Sequence, residues 1–244
     1  MTDQATTVAS KFSGPETLLD LAKLLTADEL FTVGPVKAFP RLQGSDVRIL
    51  IAHGENAAGK SLVLRDLRKH VGSYDRNGVE TFSVSMRMRT SDSMGAGMMY
   101  MSERNRSTGT SSVKAVQGAF YNACSRPHPV WLVLDEPDVG LSDRYAAALG
   151  AYIADQINHL PNHIRGVLLV SHSRCLLRRL LCDLKQAPHE VAMGEDQTLV
   201  NYLNRPIEEE ASIADLDVLL KRGQETFKFI YDFEQAKKAG EISI

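Results

Sequence analysis

Gly54-Glu55-Asn56-Ala57-Ala58-Gly59-Lys60-Ser61 is the stretch of this 244-residue sequence on which the fold turns. It is a full G-x-x-x-x-G-K-S, and its neighbours decide how it is read. Before it, Asp46–Ala52 (DVRILIA) is short, β-branched and apolar, the pattern of a buried strand. After it, SLVLRDLRKHV spaces Val63, Leu64, Leu67 and Val71 along one face of a helix. The order strand, glycine-flanked loop, helix gathers backbone N–H groups and a helix amino terminus around one point. That concave donor array suits phosphate. Lys60 is placed to reach the β- and γ-phosphates of a nucleotide, and the Ser61 hydroxyl to ligate Mg²⁺.

Outward from the loop, Val130–Ser142 (VWLVLDEPDVGLS) is a second chemical signal. A hydrophobic strand ends in two adjacent carboxylates. Asp135 at the strand end is positioned to hold a Mg²⁺ shell through water, and Glu136 to polarise an attacking water as general base. The uniform apolar runs Val130–Leu134 and Val167–Val170 suit parallel strands covered on both faces. The helical segment Tyr145–Asn158 lies between them. This gives the strand–helix–strand unit of an α/β fold with a largely parallel central sheet flanked by helices.

The rest of the chain fills in around that unit. Pro15 suits a first helical turn, with Leu18, Leu21, Ala22 and Leu25 at helical spacing behind it. Gly34–Pro40 reads as a turn-rich stretch, Glu80–Met86 as a strand, and Ser111–Ala123 as a helix. Arg87–Asn105 has little periodicity and reads as a loop. Met86, Met88, Met94, Met98, Met99 and Met101 crowd into it, with Arg87, Arg89, Arg104 and Arg106 around them. Ile213–Lys238 is a charge-rich amphipathic helical stretch.

Composition removes several classes. At 43% hydrophobic and 24% charged, the chain is neither disordered nor a coiled coil, and a net charge of −2 carries no bulk basicity for nucleic acid. Cys124, Cys175 and Cys182 form no C-x-x-C pair and are expected as reduced, mostly buried thiols. No apolar run approaches the ~20 residues that span a bilayer, so a cytoplasmic protein is expected and a membrane partner is not. Arg174, Arg178, Arg179 and Lys185 could share a basic face, read here as solvated charge.

GENAAGKS together with LVLDEPDVGLS resembles the nucleotide-binding domain of ABC-type ATPases, a branch of the P-loop NTPases, over about residues 46–175. The resemblance implies two further motifs. His172, after Val167–Val170, matches the switch histidine that hydrogen-bonds the γ-phosphate. Ser107-Thr108-Gly109-Thr110 matches the serine-glycine signature, whose Ser107 and Gly109 would contact ATP bound to a partner subunit. Only 75 residues separate Lys60 from Asp135, too few for the long helical subdomain of transporter motors. The pattern is therefore similar to compact, stand-alone ATPases of the DNA-repair and defence (SMC-like) type. The chain departs from the family in three places. No glutamine occurs between Ser61 and Arg106, Ser142 stands where the D-loop aspartate is usual, and only Phe31 and Phe39 offer themselves to adenine.

On this reading residues 1–14 form a flexible amino terminus and 15–205 the ATPase domain. A reduced helical lobe falls at about 87–125, and 206–244 form a carboxyl-terminal helical extension. The implied activity is Mg²⁺-dependent ATP binding and hydrolysis by a homodimer that closes head to tail around ATP. It would drive or switch a protein partner, with nucleic acid as one candidate target. Two alternatives stay open: the ATP-binding subunit of a membrane transporter, and a weakly hydrolysing, nucleotide-dependent interaction module.

Overall fold

Apolar side chains alternate along the central strands, and the alternation divides them between two cores. The computed structural model describes residues 15, 17–44, 47–71, 79–85, 107–206 and 212–239. Strands β1 (Ala38–Arg41), β2 (Ile49–His53), β3 (Glu80–Ser85), β4 (Val130–Asp135), β5 (Ile164–Val170) and β6 (His189–Met193) form one sheet in the order β1-β6-β2-β5-β4-β3. All neighbours are parallel except β1, which runs antiparallel to β6. Leu50, Ala52, Trp131, Val133, Leu168 and Val170 face one core, while Ile49, Ile51, Leu132, Leu134, Val167 and Leu169 face the other. Burial on both sides is why these strands read as unbroken apolar runs in the sequence.

Helices cover the two faces. On the first lie α1 (Leu18–Ala27), α2 (Glu29–Thr32) and α3 (Lys60–Val71), through Leu18, Leu21, Leu25, Leu30, Leu62 and Val63. On the second lie α4 (Thr108–Cys124), α5 (Asp143–Asn158), α6 (Arg174–Asp183) and α7 (Leu199–Asn204). The long α8 (Ile213–Ala239) reaches the first core with Phe229, Ile230 and Phe233. The expected α/β class is present, with a six-stranded, mostly parallel sheet flanked by helices.

Local chemistry moves several boundaries. Thr17 caps α1: its side chain accepts from Asp20 N–H, and the Asp20 carboxylate accepts from the Thr17 N–H in return. Pro15 therefore lies before the helix rather than in its first turn. The stretch read as turn-rich contains β1, at the sheet margin. There the missing N–H of Pro40 is tolerated because an edge strand has one side without a ladder partner. β6 and α7 have no counterpart in the sequence reading. The three cysteines are free, but Cys124 and Cys175 are only half-buried and Cys182 is exposed, so the expectation of mostly buried thiols fails. Residues 1–14, the methionine-rich segment with its four arginines, and so the first half of the 87–125 lobe lie outside the described residues; α4 represents the rest of that lobe. Among the described residues no helix is long and apolar enough to cross a membrane.

The tightest packing on the second face is between α5 and α6. A Cβ on Gly150 would stand 2.3 Å from the Leu176 carbonyl oxygen, so the two backbones approach as only glycine permits. Gly150→Ala must push α6 outward, and overpacking of this kind costs about 1–3 kcal/mol. The expected outcome is a lower denaturant midpoint with an unchanged slope. Stability equal to wild type would contradict this close approach.

Candidate functional site

One row of residues crosses the carboxyl edge of the sheet. Val191, Ala52, Val170, Asp135 and Ser85 stand side by side on β6, β2, β5, β4 and β3. The chain therefore leaves neighbouring strands at the same level: Gly54 after β2, His172 after β5, Glu136 after β4. β2 and β4 are separated by β5 alone, so their ends are roughly 10 Å apart at the usual strand spacing. The 54–61 loop, the Asp135–Glu136 pair and His172 are thus brought to one edge, although they are far apart in sequence.

The loop is held open by backbone that ordinary residues avoid. Gly54 has φ +145° and Gly59 φ +91°. A side chain at Gly54 would meet the Met193 carbonyl at 2.5 Å, and one at Gly59 would meet Val36 at 2.4 Å. Glu55 and Asn56 are exposed, Ala57 is half-buried and Ala58 is buried. α3 starts at Lys60, with half-buried Ser61 in its first turn. The Lys60 ammonium is almost wholly buried and donates to the carbonyls of Gly54 and Glu55, at 2.8 Å each. Its charge therefore sits inside the loop rather than in solvent.

Asp135 is buried at the tip of β4, where the Ser85 hydroxyl donates to Oδ2 at 2.6 Å. Glu136 next to it adopts φ +47°. Among the described residues, Ala57 and Glu136 are the only non-glycines with positive φ. Such strain costs on the order of 1–3 kcal/mol and persists where surrounding structure enforces it. Here the Glu136 N–H donates to the Val170 carbonyl at 2.8 Å, which turns its carboxylate back over the β5 end. Glu136 Oε1 lies 3.5 Å from His172 Nδ1, an ion-pair distance whenever the imidazole is protonated. The His172 side chain is 40% exposed, facing the edge where a ligand would arrive.

A second layer fixes these groups. Tyr202 of α7 is buried and donates its hydroxyl to the His172 carbonyl at 2.8 Å. Its ring lies against His53 at 5.4 Å and beneath the Arg174 guanidinium at 5.3 Å. Arg174 in turn reaches Glu55 of the loop at 3.4 Å. Ser171 donates to Asp138 at 3.2 Å and accepts from the Ser173 N–H, tying the turn after β4 to the segment around His172. Sequence reasoning misses Ser85, Asp138, Tyr202 and His53. Ser85 has one signal available, a hydroxyl at the end of a strand parallel to β4.

The other candidates lie outside this cluster or at its margin. Ser107 is the exposed N-cap of α4, accepting from the Thr110 N–H. Gly109 is buried against the turn after β4, where a Cβ would meet the Gly140 carbonyl at 2.6 Å. Ser112 donates to the Val139 carbonyl at 2.6 Å, so the start of α4 is strapped to that turn within one chain. Ser142 is the N-cap of α5, followed by Asp143 in its first turn. Phe31 is buried in the first core and offers no face to a base, which corrects its candidacy; Phe39 is half-buried on β1. The basic set is not a common face, because Arg174 and Arg178 donate to carbonyls of residues 203–206 and Arg179 pairs with Asp183. Among the described residues no group of three or more His, Cys, Asp or Glu gathers to hold a metal. One buried carboxylate and nearby hydroxyls are hard oxygen donors of the kind Mg²⁺ uses when phosphates complete its shell.

His53, the last residue of β2, is wholly buried, and neither ring nitrogen has a hydrogen-bond partner among the described residues. Burial, and then the positive charges of Arg41 and Lys60, lower its pKa to about 4. Glu190, with Oε2 4.0 Å from His53 Nε2, is pushed above the usual carboxylate range by its own burial. Below its ordinary pKa the unfolded chain protonates His53 and the folded chain does not. Its contribution is therefore complete above about pH 6.5 and lost as pH falls towards 4, by about 3 kcal/mol. Glu190 acts with the opposite sign, so the comparison must keep it. From pH 7 to 4 the unfolding free energy of wild type should fall relative to that of His53→Phe by about 3 kcal/mol; parallel curves would refute a neutral, buried imidazole.

No protein-family model matches this chain, and no curated protein matches it either.

Proposed function

We propose that the protein is an ATPase of the ABC type, a P-loop NTPase that binds Mg²⁺-ATP at the 54–61 loop and hydrolyses it. The single observation behind this reading is the row Ala52–Val170–Asp135–Ser85, which sets a phosphate-cradling loop, paired carboxylates and a histidine along one sheet edge. The γ-phosphate of ATP replaces the Gly54 and Glu55 carbonyls as the partner of Lys60. The backbone donors of the loop and the α3 amino terminus hold the β-phosphate. Ser61 and Asp135 are the residues that would hold Mg²⁺, which neutralises phosphate charge when bound. Glu136, turned back by its positive φ, accepts the proton of the attacking water. His172 faces the γ-phosphate and carries its presence to α7 through the Tyr202 hydroxyl.

Ser107, exposed at the start of α4, and Gly109 beside it would contact a nucleotide on a second chain. In a head-to-tail dimer each ATP then contacts both subunits and favours closure. A hundredfold preference for the closed state would shift each site by about 2.7 kcal/mol. The turn after β4 packs on α4, which links the hydrolytic carboxylate to that surface. A protein partner or nucleic acid would read the open and closed states.

Lys60→Ala removes charge-assisted bonds worth about 1.5–3 kcal/mol, so ATP affinity should fall by roughly 10- to 150-fold. Affinity equal to wild type rejects the phosphate-loop assignment. Glu136→Gln should keep ATP binding, lose about 10²–10⁴ in turnover, and elute as a dimer only with Mg²⁺-ATP. Undiminished turnover removes Glu136 from the role of base. Normal nucleotide binding with negligible wild-type turnover would favour the interaction-module alternative.

A further inference from the structure

α8 has two unlike halves. Over a length of about 40 Å, its amino half reaches the body of the protein with Arg222, beside Gly194, while its apolar contacts with that body lie, among the described residues, in its carboxyl half. There Phe229, Ile230 and Phe233 pack on the first core, and Arg65 pairs with Glu234 at 2.9 Å. Every residue from 212 to 225 is exposed, although the segment includes Ile213, Leu216, Val218, Leu219 and Leu220. An isolated helix of that length is marginal in water, because helices draw most of their stability from packing an apolar face. Phe227 and Tyr231 continue the exposed apolar surface into the docked half, at 71% and 55% exposure.

At 3.6 residues per turn, Ile213, Leu216, Leu220, Phe227 and Tyr231 fall in one strip, away from Phe229 and Phe233 and with the docked Ile230 at its border. Gly223 lies in the same strip between Leu220 and Phe227. A Cβ there would meet nothing within 4 Å, so the glycine serves no packing purpose in a single chain. It also costs about 0.5–1 kcal/mol relative to alanine inside a helix. A helix crossing closely at that point gives it a purpose. The charges indicate which helix. α8 carries five acids and five bases, with Asp215 and Asp217 near its start and Lys228, Lys237 and Lys238 towards its end. A balanced helix lacks the cationic excess that an anionic lipid surface attracts. Two copies side by side in the same direction set like charges together; two copies in opposite directions set unlike charges together.

We propose that α8 is a self-association element, on whose exposed strip α8 of a second copy of this chain packs antiparallel. A two-fold axis near residue 222 sets Leu216 against Phe227 of the second copy and Leu220 over its Gly223. On one flank Asp217 then approaches Lys228 of the second copy, twice by symmetry. This contact needs no nucleotide and goes beyond the ATP reading. It holds two heads at high effective concentration whether or not they close on a ligand.

Sedimentation of the full chain without nucleotide, across a dilution series, tests the seam. The expected result is a dimer whose dissociation constant rises at least about tenfold in Phe227→Glu and in Leu220→Glu. Both side chains are exposed, and circular dichroism and the thermal midpoint check that the fold is intact. Asp217→Lys and Lys228→Asp should each weaken the dimer, and the double variant should regain it. Only antiparallel self-pairing predicts that recovery. A wild type monomeric throughout, a Phe227→Glu dimer of unchanged strength, or a double variant no tighter than the single ones would each overturn the proposal. Dimerisation seen only with Mg²⁺-ATP overturns it too while leaving the ATP reading intact. A nucleotide-free dimer that binds no ATP does the reverse.

Discussion

The register of β5 between β2 and β4 is the constraint on which the site depends. Val170 pairs with Ala52 on one side and Asp135 on the other, and its carbonyl then takes the Glu136 N–H. A slip of one residue would exchange the faces of every side chain on β5, moving Leu168 and Val170 into the core that holds Val167 and Leu169. The two cores therefore enforce the row, and the row aligns the loops. No residue of the site has to specify its own distance from the others. Packing remote from the edge does that, which is why apolar strand interiors bear on the chemistry as much as the carboxylates do.

Much of this is legible in the sequence. The interiors of β2, β4 and β5 are buried on both faces, which keeps them apolar, and the runs announce them. The 54–61 loop announces itself because its geometry admits glycine at two places and little else. α5 and α8 are visible as periodic segments. β1 is not, because an edge strand of four residues containing Pro40 carries no alternation and its pairing is decided by β6, about 150 residues on. Phe31 looks available because composition shows an aromatic, not which way it points.

The supporting residues are illegible for a different reason. Tyr202 lies 30 residues beyond His172 on a separate element, and nothing in its spacing links it to His172 or to Glu55 of the loop. Their relation exists only after α7 packs beneath the end of β5. Glu136 shows the same limit. Its identity is readable as the second of two acids, but its positive φ and its turn towards His172 follow from one backbone bond to Val170. Residue type marks what chemistry is possible, and tertiary contact sets which way it faces.

α8 extends that logic to the surface. Along most of the described residues an apolar position can be traced to a neighbour that covers it, whereas from 213 to 225 the pattern persists without one among them. A sequence retains five large aliphatics in eight residues at a cost in solubility, and a helix retains a central glycine at a cost in helicity. Either cost alone is unremarkable. Three of the five, Ile213, Leu216 and Leu220, share one strip with the glycine, and there both costs are offset together by a single event, the approach of another helix. Arg222, on the other side of α8, lies beside Gly194 and Ala58, with its guanidinium 3.0 Å from where a Gly194 Cβ would stand. The same helix thus carries a self-complementary strip outward and a cation inward towards the 54–61 loop. A contact along its amino half would therefore act on the segment that sets that cation beside the loop, so that assembly and the site share one structural element.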